Sequence, residues 1–104
     1  DDLALAVSLA GGSGVISVIG QAFPKLFSRM IRDGLASKAK EGYKAHFQLM
    51  EITSQIFSEN NPAGIKAVLE ALKISESYVR LPLVDASQDL KKAIVKTVLD
   101  LDKL

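Results

Sequence analysis

The spacing of apolar residues predicts that most of this chain is helical. After Gly20, apolar positions recur every three or four residues in four segments, which is the period of a helix that buries one face. A fifth helix, short and almost wholly apolar, is predicted over residues 3–10. The four longer core faces are predicted to be Leu26, Phe27, Met30, Ile31 and Leu35; Ala39, Tyr43, His46, Leu49, Met50, Ile56 and Phe57; Ile65, Val68, Leu69 and Leu72; and Leu90, Ile94, Val98 and Leu101.

Helix ends are marked by residues that favour caps and turns. Asp1 or Asp2 can cap the first helix, and Asp85 with Gln88 has the spacing of a capping box for the last. Proline suits the first position of a helix, where its missing N–H leaves no bond unmade. The remaining predicted signals are a stop at Gly11-Gly12, helix starts at Pro24 and Pro62, a break near Ser37, an end at Asn60-Asn61, and a non-helical segment over 75–84 that contains Pro82.

One segment has the composition of a strand. Residues 14–20 read Gly-Val-Ile-Ser-Val-Ile-Gly, and a short β-branched run between glycines is typical of a strand buried on both faces of a parallel sheet. A single parallel strand cannot form a sheet, so we expect its neighbours to lie outside this sequence. The chain also opens with Asp1 instead of Met and has no basic leader segment, so a truncated N-terminus and a cytoplasmic origin are expected.

Composition narrows the function classes. The 13 basic and 12 acidic residues give no electrostatic footprint for nucleic acid or an anionic membrane. The absence of Cys excludes disulfides and thiolate chemistry, and a single His argues against a metal site. No apolar run approaches the roughly 20 residues that a membrane span needs. We therefore predict a single modest domain with no metal, no other cofactor, no nucleic acid and no membrane partner.

Four groups of residues suggest chemistry, and each has a simpler interpretation. Residues 11–14 are rich in glycine, but a phosphate loop runs strand, glycines, helix, and the order here is reversed. His46 has no second metal ligand in the sequence. Lys66 has no neighbour that would lower its pKa and make it a nucleophile. Glu59, with Asn60 and Asn61, could bind a cation, but helix ends use the same residues more often.

Three stretches resemble one enzyme family. Gly12-Ser13-Gly14-Val15-Ile16-Ser17-Val18 is similar to the eighth strand of the dihydrodipicolinate synthase family. Asn61-Pro62-Ala63-Gly64-Ile65-Lys66-Ala67 resembles its "NPxPVKxA" helix start, and Arg80-Leu81-Pro82-Leu83 matches its "RLPL" turn. Their order and spacing also agree, so the resemblance covers essentially the whole chain.

The resemblance implies a mainly α fragment of a (β/α)₈ TIM barrel. Residues 1–36 would supply the last β/α units of the barrel, and residues 37–104 its C-terminal helical domain. Family enzymes join pyruvate to an aldehyde through a lysine Schiff base, and none of the motifs for that lysine, its tyrosine relay or its Gly-Thr-Thr-Gly loop occurs here. The resemblance therefore implies a homo-oligomeric parent lyase of lysine biosynthesis, and a fragment inactive alone.

One contact with substrate carries over from the family. The backbone carbonyl of Ile16 would face the bound keto acid. Two positions depart from the family pattern: Gly64 replaces a proline, which should loosen that helix start, and Lys73 stands where the family has glycine. If residue 73 is a left-handed helix cap, its side chain carries a conformational cost.

Two other functions remain open. An N-acetylneuraminate lyase or a keto-deoxy sugar aldolase belongs to the same superfamily, and "RLPL" favours the synthase over both. A freestanding helical interaction module belongs to a different class. The residues by themselves indicate only a soluble, mostly helical chain.

Overall fold

The computed structural model describes residues 1–102, and over that range it confirms a mainly helical chain. Its five α-helices are α1 (Ala4–Leu9), α2 (Pro24–Leu35), α3 (Ala39–Ser58), α4 (Ala63–Ala71) and α5 (Gln88–Asp102), with a 3₁₀ helix at Ile19–Gln21. Contacts divide the chain into two compact units, Asp1–Met50 and Glu51–Leu104. The domain boundary expected after residue 36 stays a prediction. Over the described range, no helix is both long and apolar enough to cross a membrane.

The first unit is built around Leu5 of α1, which is completely buried. Gly34 of α2 and Gly42 of α3 both lie against this side chain. A Cβ atom placed on either glycine would come within 3.0 Å and 2.7 Å of Leu5 Cδ1, respectively. The absence of side chains at these two positions therefore lets α2 and α3 approach α1 closely. Ile19, Phe27 and Met30 complete this core.

The second unit packs α4 against α5. Its fully buried side chains are Ile52, Ile56, Val68 and Ile94. Gly64 is buried at the start of α4, and a Cβ atom there would lie only 2.1 Å from the carbonyl oxygen of Ile56. The expectation that Gly64 loosens this helix start is therefore wrong, because the glycine allows close backbone packing.

Three helices end with the same pair of backbone hydrogen bonds. After α4, the N–H of Lys73 donates to the carbonyl of Glu70 at 2.9 Å, and that of Ile74 donates to Leu69 at 2.9 Å. This is the Schellman arrangement, and it requires a left-handed residue after the cap. Gly11 (φ 107°), Ser37 (φ 61°) and Lys73 (φ 60°) fill that position. The predicted ends at residues 11, 37 and 73 are confirmed.

The strand predicted over 14–20 does not form in this chain. Residues 1–102 contain no β-strand, and the run passes through irregular backbone into the 3₁₀ helix at Ile19–Gln21. Val15 is 42% exposed and Ile16 fully exposed, whereas Ile19 is completely buried. A parallel strand takes its hydrogen bonds from neighbouring strands, and the described residues provide none.

The predicted core face of α3 is only partly correct. Leu49 and Ile56 are buried as expected, but Tyr43, Met50 and Phe57 are exposed and His46 is half-buried. The buried row instead runs through Gly42, Ala45, Leu49, Ile52 and Ile56. The helix carries two apolar rows, and the row with smaller residues is buried because close contact with Leu5 requires them. The other predicted faces are confirmed in part: Leu35 is exposed, four residues are half-buried (Leu26, Leu69, Leu72 and Leu101), and the rest are buried as expected (Phe27, Met30, Ile31, Ile65, Val68, Leu90, Ile94 and Val98).

Two predicted caps are also wrong. No side chain caps α1. The last helix is capped by Ser87, whose Oγ accepts the N–H of Leu90 at 3.1 Å, and not by Asp85. Asp85 accepts the N–H of its neighbour Ala86 and binds Lys91. Both predictions fail for the same reason. The carboxylate that local spacing assigned to a helix cap instead binds a group farther along the chain.

Candidate functional site

The glycine-rich segment before α2 contains Ile16, the residue expected to contact substrate. The Asp1 side chain is only 4% exposed, and its carboxylate contacts this segment. It accepts the backbone N–H groups of Val18 at 3.0 Å and Ile19 at 2.7 Å. The Ser17 hydroxyl accepts the N–H of Gly20 at 2.9 Å. Two side-chain oxygens therefore fix the start of the 3₁₀ helix that follows Ile16.

Ile16 itself is fully exposed, at 103% of its reference area. On its N-terminal side, the backbone is held by the end of α1, where the N–H of Gly12 donates to the carbonyl of Val7 at 2.9 Å. The segment is thus anchored at both ends while the residue between them faces outward. This arrangement can present a backbone carbonyl to another molecule without any demand on side-chain chemistry.

The structure places the other candidate residues in ordinary structural roles. The ammonium of Lys66 lies 5.7 Å from the ring centroid of Tyr78, a cation–π contact. His46 makes edge contacts with Tyr43 and Phe47 at 5.7 Å and 5.4 Å between ring centroids. These two groups of contacts do not bring Lys66 and His46 together into one site.

Glu59 connects the end of α3 with the start of α5. Its carboxylate accepts the Ser87 hydroxyl and, at 2.8 Å, the Ser87 N–H. Both hydrogen bonds lower the pKa of Glu59 below its ordinary value, and the bond from the Ser87 hydroxyl is the larger cause. Over residues 1–102, no group of three or more possible ligands could hold a metal ion.

Sequence reasoning missed a polar network in the second unit. The Lys91 ammonium donates to Asp85 Oδ2 at 2.8 Å and to Ser77 Oγ at 2.9 Å, and lies 3.7 Å from Glu70 Oε1. Ser77 is buried, and its hydroxyl donates to Asp85 at 3.2 Å. The four residues are separated by up to 21 positions, so no local spacing could have identified them.

This network is unsuited to serine–lysine catalysis. Such a base must lose its proton near neutral pH. The hydrogen bond to Asp85 is the main cause that raises the pKa of Lys91, and the same bond lowers the pKa of Asp85. Both groups therefore keep their charge, and the network holds residues 77–85 against α4 and α5.

Two of the family-like stretches lie together. An open groove of about 160 Å³ is lined on one side by residues 59–63 and on the other by residues 82–84. The Arg80-Leu81-Pro82-Leu83 turn is closed by the Leu83 N–H, which donates to the Arg80 carbonyl at 3.0 Å, and the bonds before Pro62 and Pro82 are cis. The two prolines thus shape one structural feature, although they are distant in sequence.

Comparison with known proteins gives a consistent result. The 4-hydroxy-tetrahydrodipicolinate synthase of Flavobacterium psychrophilum is 48% identical over 94 residues, which cover 90% of this chain and 32% of that protein. The crystal structure of dihydrodipicolinate synthase from Thermotoga maritima superposes with a TM-score of 0.92 at 28% identity, covering 99% of this chain and 35% of that one.

A third relative is known with a ligand. The dihydrodipicolinate synthase of Acinetobacter baumannii, complexed with pyruvate, has the same fold over 99% of this chain and 35% of its own, with a TM-score of 0.93 and 21% identity. The chain therefore spans about a third of the length of these relatives. The family described as the dihydrodipicolinate synthetase family matches residues 1–101. With nearly every residue matched, this chain belongs to the dihydrodipicolinate synthetase family.

Proposed function

We propose that this chain is the C-terminal third of a 4-hydroxy-tetrahydrodipicolinate synthase. That enzyme is a lyase that condenses pyruvate with aspartate semialdehyde through a lysine Schiff base, in the diaminopimelate route to lysine. The observation that carries the proposal is the family match over residues 1–101, combined with coverage of only 32% of a relative that is 48% identical.

The fold proposal follows from the same alignment. Residues 1–36 would be the last β/α units of a (β/α)₈ barrel, with residues 14–20 as its eighth strand and α2 as its eighth helix. Residues 37–104 would be the C-terminal helical domain. The exposure of Val15 and Ile16 supports this assignment, since a barrel strand has neighbours on both sides that would cover such residues.

The Schiff-base lysine would lie outside this sequence. A lysine that attacks a carbonyl must be neutral in part, which requires desolvation or a nearby cation. Lys91 is bound to the Asp85 carboxylate, which favours its charged form. Lys66 lies over the face of Tyr78, where a ring quadrupole attracts a cation. Lys91 does not meet this requirement, and Lys66 lies in the stretch that resembles the family's helix start and not in a Schiff-base motif, so the chain alone is proposed to be inactive.

Ile16 would supply the substrate contact made by this part of the enzyme. Its backbone carbonyl is proposed to face the keto acid, and the anchoring by Asp1 and Ser17 would hold it in place. The pyruvate complex of the Acinetobacter baumannii enzyme supports pyruvate as that keto acid. A structure of the full-length protein with pyruvate should show the Ile16 carbonyl oxygen in contact with the ligand.

An assay of the full-length protein separates this function from its alternatives. We expect condensation of pyruvate with aspartate semialdehyde and no cleavage of N-acetylneuraminate or of keto-deoxy sugar acids. Cleavage of either sugar acid in preference would reassign the protein within the superfamily. If the full-length protein has no aldolase activity and the 104-residue chain alone binds a protein partner, the helical interaction module is favoured. The full-length enzyme is also proposed to be a homo-oligomer, without cofactor.

A further inference from the structure

The Asp1 carboxylate is buried and binds backbone that lies far along the chain. The N–H groups of Val18 and Ile19 donate at 3.0 Å and 2.7 Å, and both donate to the same oxygen, Oδ2. Asp1 is itself held at the start of α1, because its backbone carbonyl accepts the N–H of Ala4 at 3.2 Å. The carboxylate therefore connects the start of α1 with the backbone that follows Ile16.

This connection restricts the direction of the Ile16 carbonyl. That carbonyl belongs to the peptide plane between Ile16 and Ser17, and the N–H of Val18 belongs to the next plane. Because peptide bonds are planar, the two planes are separated only by the φ and ψ angles of Ser17. Ser17 is held a second time, since its Oγ accepts the N–H of Gly20 at 2.9 Å. The plane of the Ile16 carbonyl is therefore restrained from its C-terminal side.

The same helix holds the segment on its N-terminal side. The N–H of Gly12 donates to the carbonyl of Val7 at 2.9 Å, in the last turn of α1. One short helix thus supports both sides of Ile16, with a buried side chain at its start and a backbone carbonyl at its end. A carbonyl restrained on both sides can make a contact of fixed geometry, and fixed geometry is what holding a substrate for reaction requires.

We propose that Asp1 is a positioning residue for the contact between Ile16 and the keto acid. The inference rests on the proposed function, in which the Ile16 carbonyl faces pyruvate. The active site of a TIM barrel lies at the C-terminal ends of its strands, where the loops to the helices begin. Asp1, just before α1, and Val18 and Ile19, at the end of the proposed eighth strand, would both lie at that face. The carboxylate acts through the backbone, because backbone N–H groups engage it.

The geometry also indicates which property of Asp1 is required. Both N–H groups donate to one oxygen, and an amide oxygen has two lone pairs that can accept both bonds. Asparagine places its oxygen the same number of bonds from the backbone as Asp1 does. Glutamate keeps the negative charge but moves the oxygens outward by one C–C bond, about 1.5 Å. The position of the oxygen, and not its charge, should therefore decide how well a substitution works.

Borohydride trapping of the full-length protein over a series of pyruvate concentrations tests the proposal. Intact mass gives the pyruvate concentration at which half of the protein carries the adduct. Asp1→Ala should raise this half-saturating concentration about tenfold or more, because a misplaced contact weakens the hold on the ligand. Asp1→Glu should raise it similarly, whereas Asp1→Asn should stay within about threefold of the wild type. A purely structural role would reduce the amount of adduct at every concentration without changing the half-saturating concentration.

Asp2 supplies the matched control. It is the neighbouring carboxylate and is 82% exposed, so Asp2→Ala should leave the half-saturating concentration unchanged. If Asp1→Ala does not fold by circular dichroism, Ser17→Ala decides instead. That variant removes only the hydrogen bond from Gly20 and should raise the half-saturating concentration about threefold, and a wild-type value would overturn the proposal.

Two results with folded Asp1 variants would also overturn the proposal. The first is a wild-type half-saturating concentration for Asp1→Ala, and the second is an Asp1→Asn variant as impaired as Asp1→Ala. Failure of the proposed function has a different signature, because the wild-type full-length protein itself would then form no pyruvate adduct. That result would overturn the proposed function and this inference with it.

Discussion

At the residue scale, a lysine occupies a position that favours glycine. Lys73 has φ 60°, and its backbone N–H completes the hydrogen bonds that end α4. A left-handed conformation brings Cβ close to the following carbonyl oxygen, at a cost of roughly 1 kcal/mol or more for a residue with a side chain. Ser37 carries the same cost after α2. Each site keeps its conformation because the Schellman hydrogen bonds satisfy carbonyls that would otherwise be unpaired.

Replacing Lys73 with glycine should stabilise the protein. Lys73→Gly removes the Cβ conflict and is expected to raise the free energy of unfolding by about 1 kcal/mol, offset in part by a more flexible unfolded chain. For a domain of this size, the thermal midpoint should rise by about 4–8 °C per kcal/mol. The control, Lys92→Gly within α5, should lower the midpoint, because glycine is unfavourable inside a helix. A fall in both variants would contradict the assignment.

Gly64 should respond in the opposite way to a small substitution. Inside a helix, alanine normally stabilises by up to about 1 kcal/mol relative to glycine. Here a Cβ atom would lie 2.1 Å from the Ile56 carbonyl oxygen, and backbone cannot yield as a side-chain tip can. Gly64→Ala should therefore lower the free energy of unfolding by about 1–3 kcal/mol in chemical denaturation. Gly20→Ala is the control: its nearest atoms are the Ser17 Cβ and Oγ at 3.3 Å, both in a side chain, so it should lower the free energy of unfolding by less than Gly64→Ala does.

The charged network predicts how stability depends on pH. The bond to Lys91 lowers the pKa of Asp85 below its ordinary value of 3.8. The folded state thus favours the carboxylate, so its contribution is present above pH 3.8 and is lost as the pH falls through the folded pKa. Lys91 has a raised pKa, so its contribution is present below pH 10.5 and is lost as the pH rises beyond that value.

Asp85→Asn should therefore destabilise the protein at pH 7 and matter less in acid. Asp85 is 41% exposed, and a solvent-screened pair contributes about 1 kcal/mol or less. Urea denaturation from pH 7 to pH 2.5 measures the free energy of unfolding of the wild type and of Asp85→Asn. The two free energies should converge below pH 3.8. If the free energy of unfolding of Asp85→Asn instead stays parallel to that of the wild type down to pH 2.5, the ion pair contributes nothing.

At the element scale, α3 shows what periodicity can and cannot determine. Its existence, its length and the ends of its neighbours followed from apolar spacing, proline and glycine. The choice between its two apolar rows did not. Hydrophobicity favours the row with Tyr43 and Phe57, but packing selects the row with Gly42 and Ala45, because only small residues allow contact with Leu5.

The same limit explains why the predicted strand does not form and why the network around Lys91 was missed. Composition correctly marked residues 14–20 as different from the helices, yet a strand depends on hydrogen bonds to segments that the described residues do not contain. The contacts of Lys91 with Glu70 and Ser77 join positions far apart in sequence. Long-range partners of this kind leave no local signal, whereas caps such as Lys73 depend on adjacent backbone and could be predicted.

Two alanine substitutions in α3 should confirm which of its two apolar rows is buried. Ile52 is completely buried, so Ile52→Ala should lower the free energy of unfolding by about 2–5 kcal/mol. Phe57, which belongs to the row first expected in the core, is 43% exposed. Phe57→Ala should therefore cost clearly less than Ile52→Ala, although phenylalanine is the larger side chain. Chemical denaturation measures both, and the reverse order would restore the original assignment.

At the scale of the whole molecule, chemistry and architecture point in the same direction. The chain belongs to an enzyme family, yet Lys91 is bound to carboxylates and Lys66 lies over an aromatic ring. Among residues 1–102, the most exposed large apolar residue is Ile16, and it lies in the segment that we propose to be a barrel strand. These observations are accounted for together if the Schiff-base lysine and the neighbours of that segment belong to residues outside this sequence.

Trapping with pyruvate and borohydride, read by intact mass and peptide mapping, tests this central claim most directly. Borohydride reduces a lysine imine to a stable adduct, so the reacting residue can be identified. The full-length protein should gain one stoichiometric pyruvate adduct on a lysine that precedes Asp1, and the 104-residue chain should gain none. A specific adduct on Lys66 of the 104-residue chain would contradict the account, as would a full-length protein that forms no adduct.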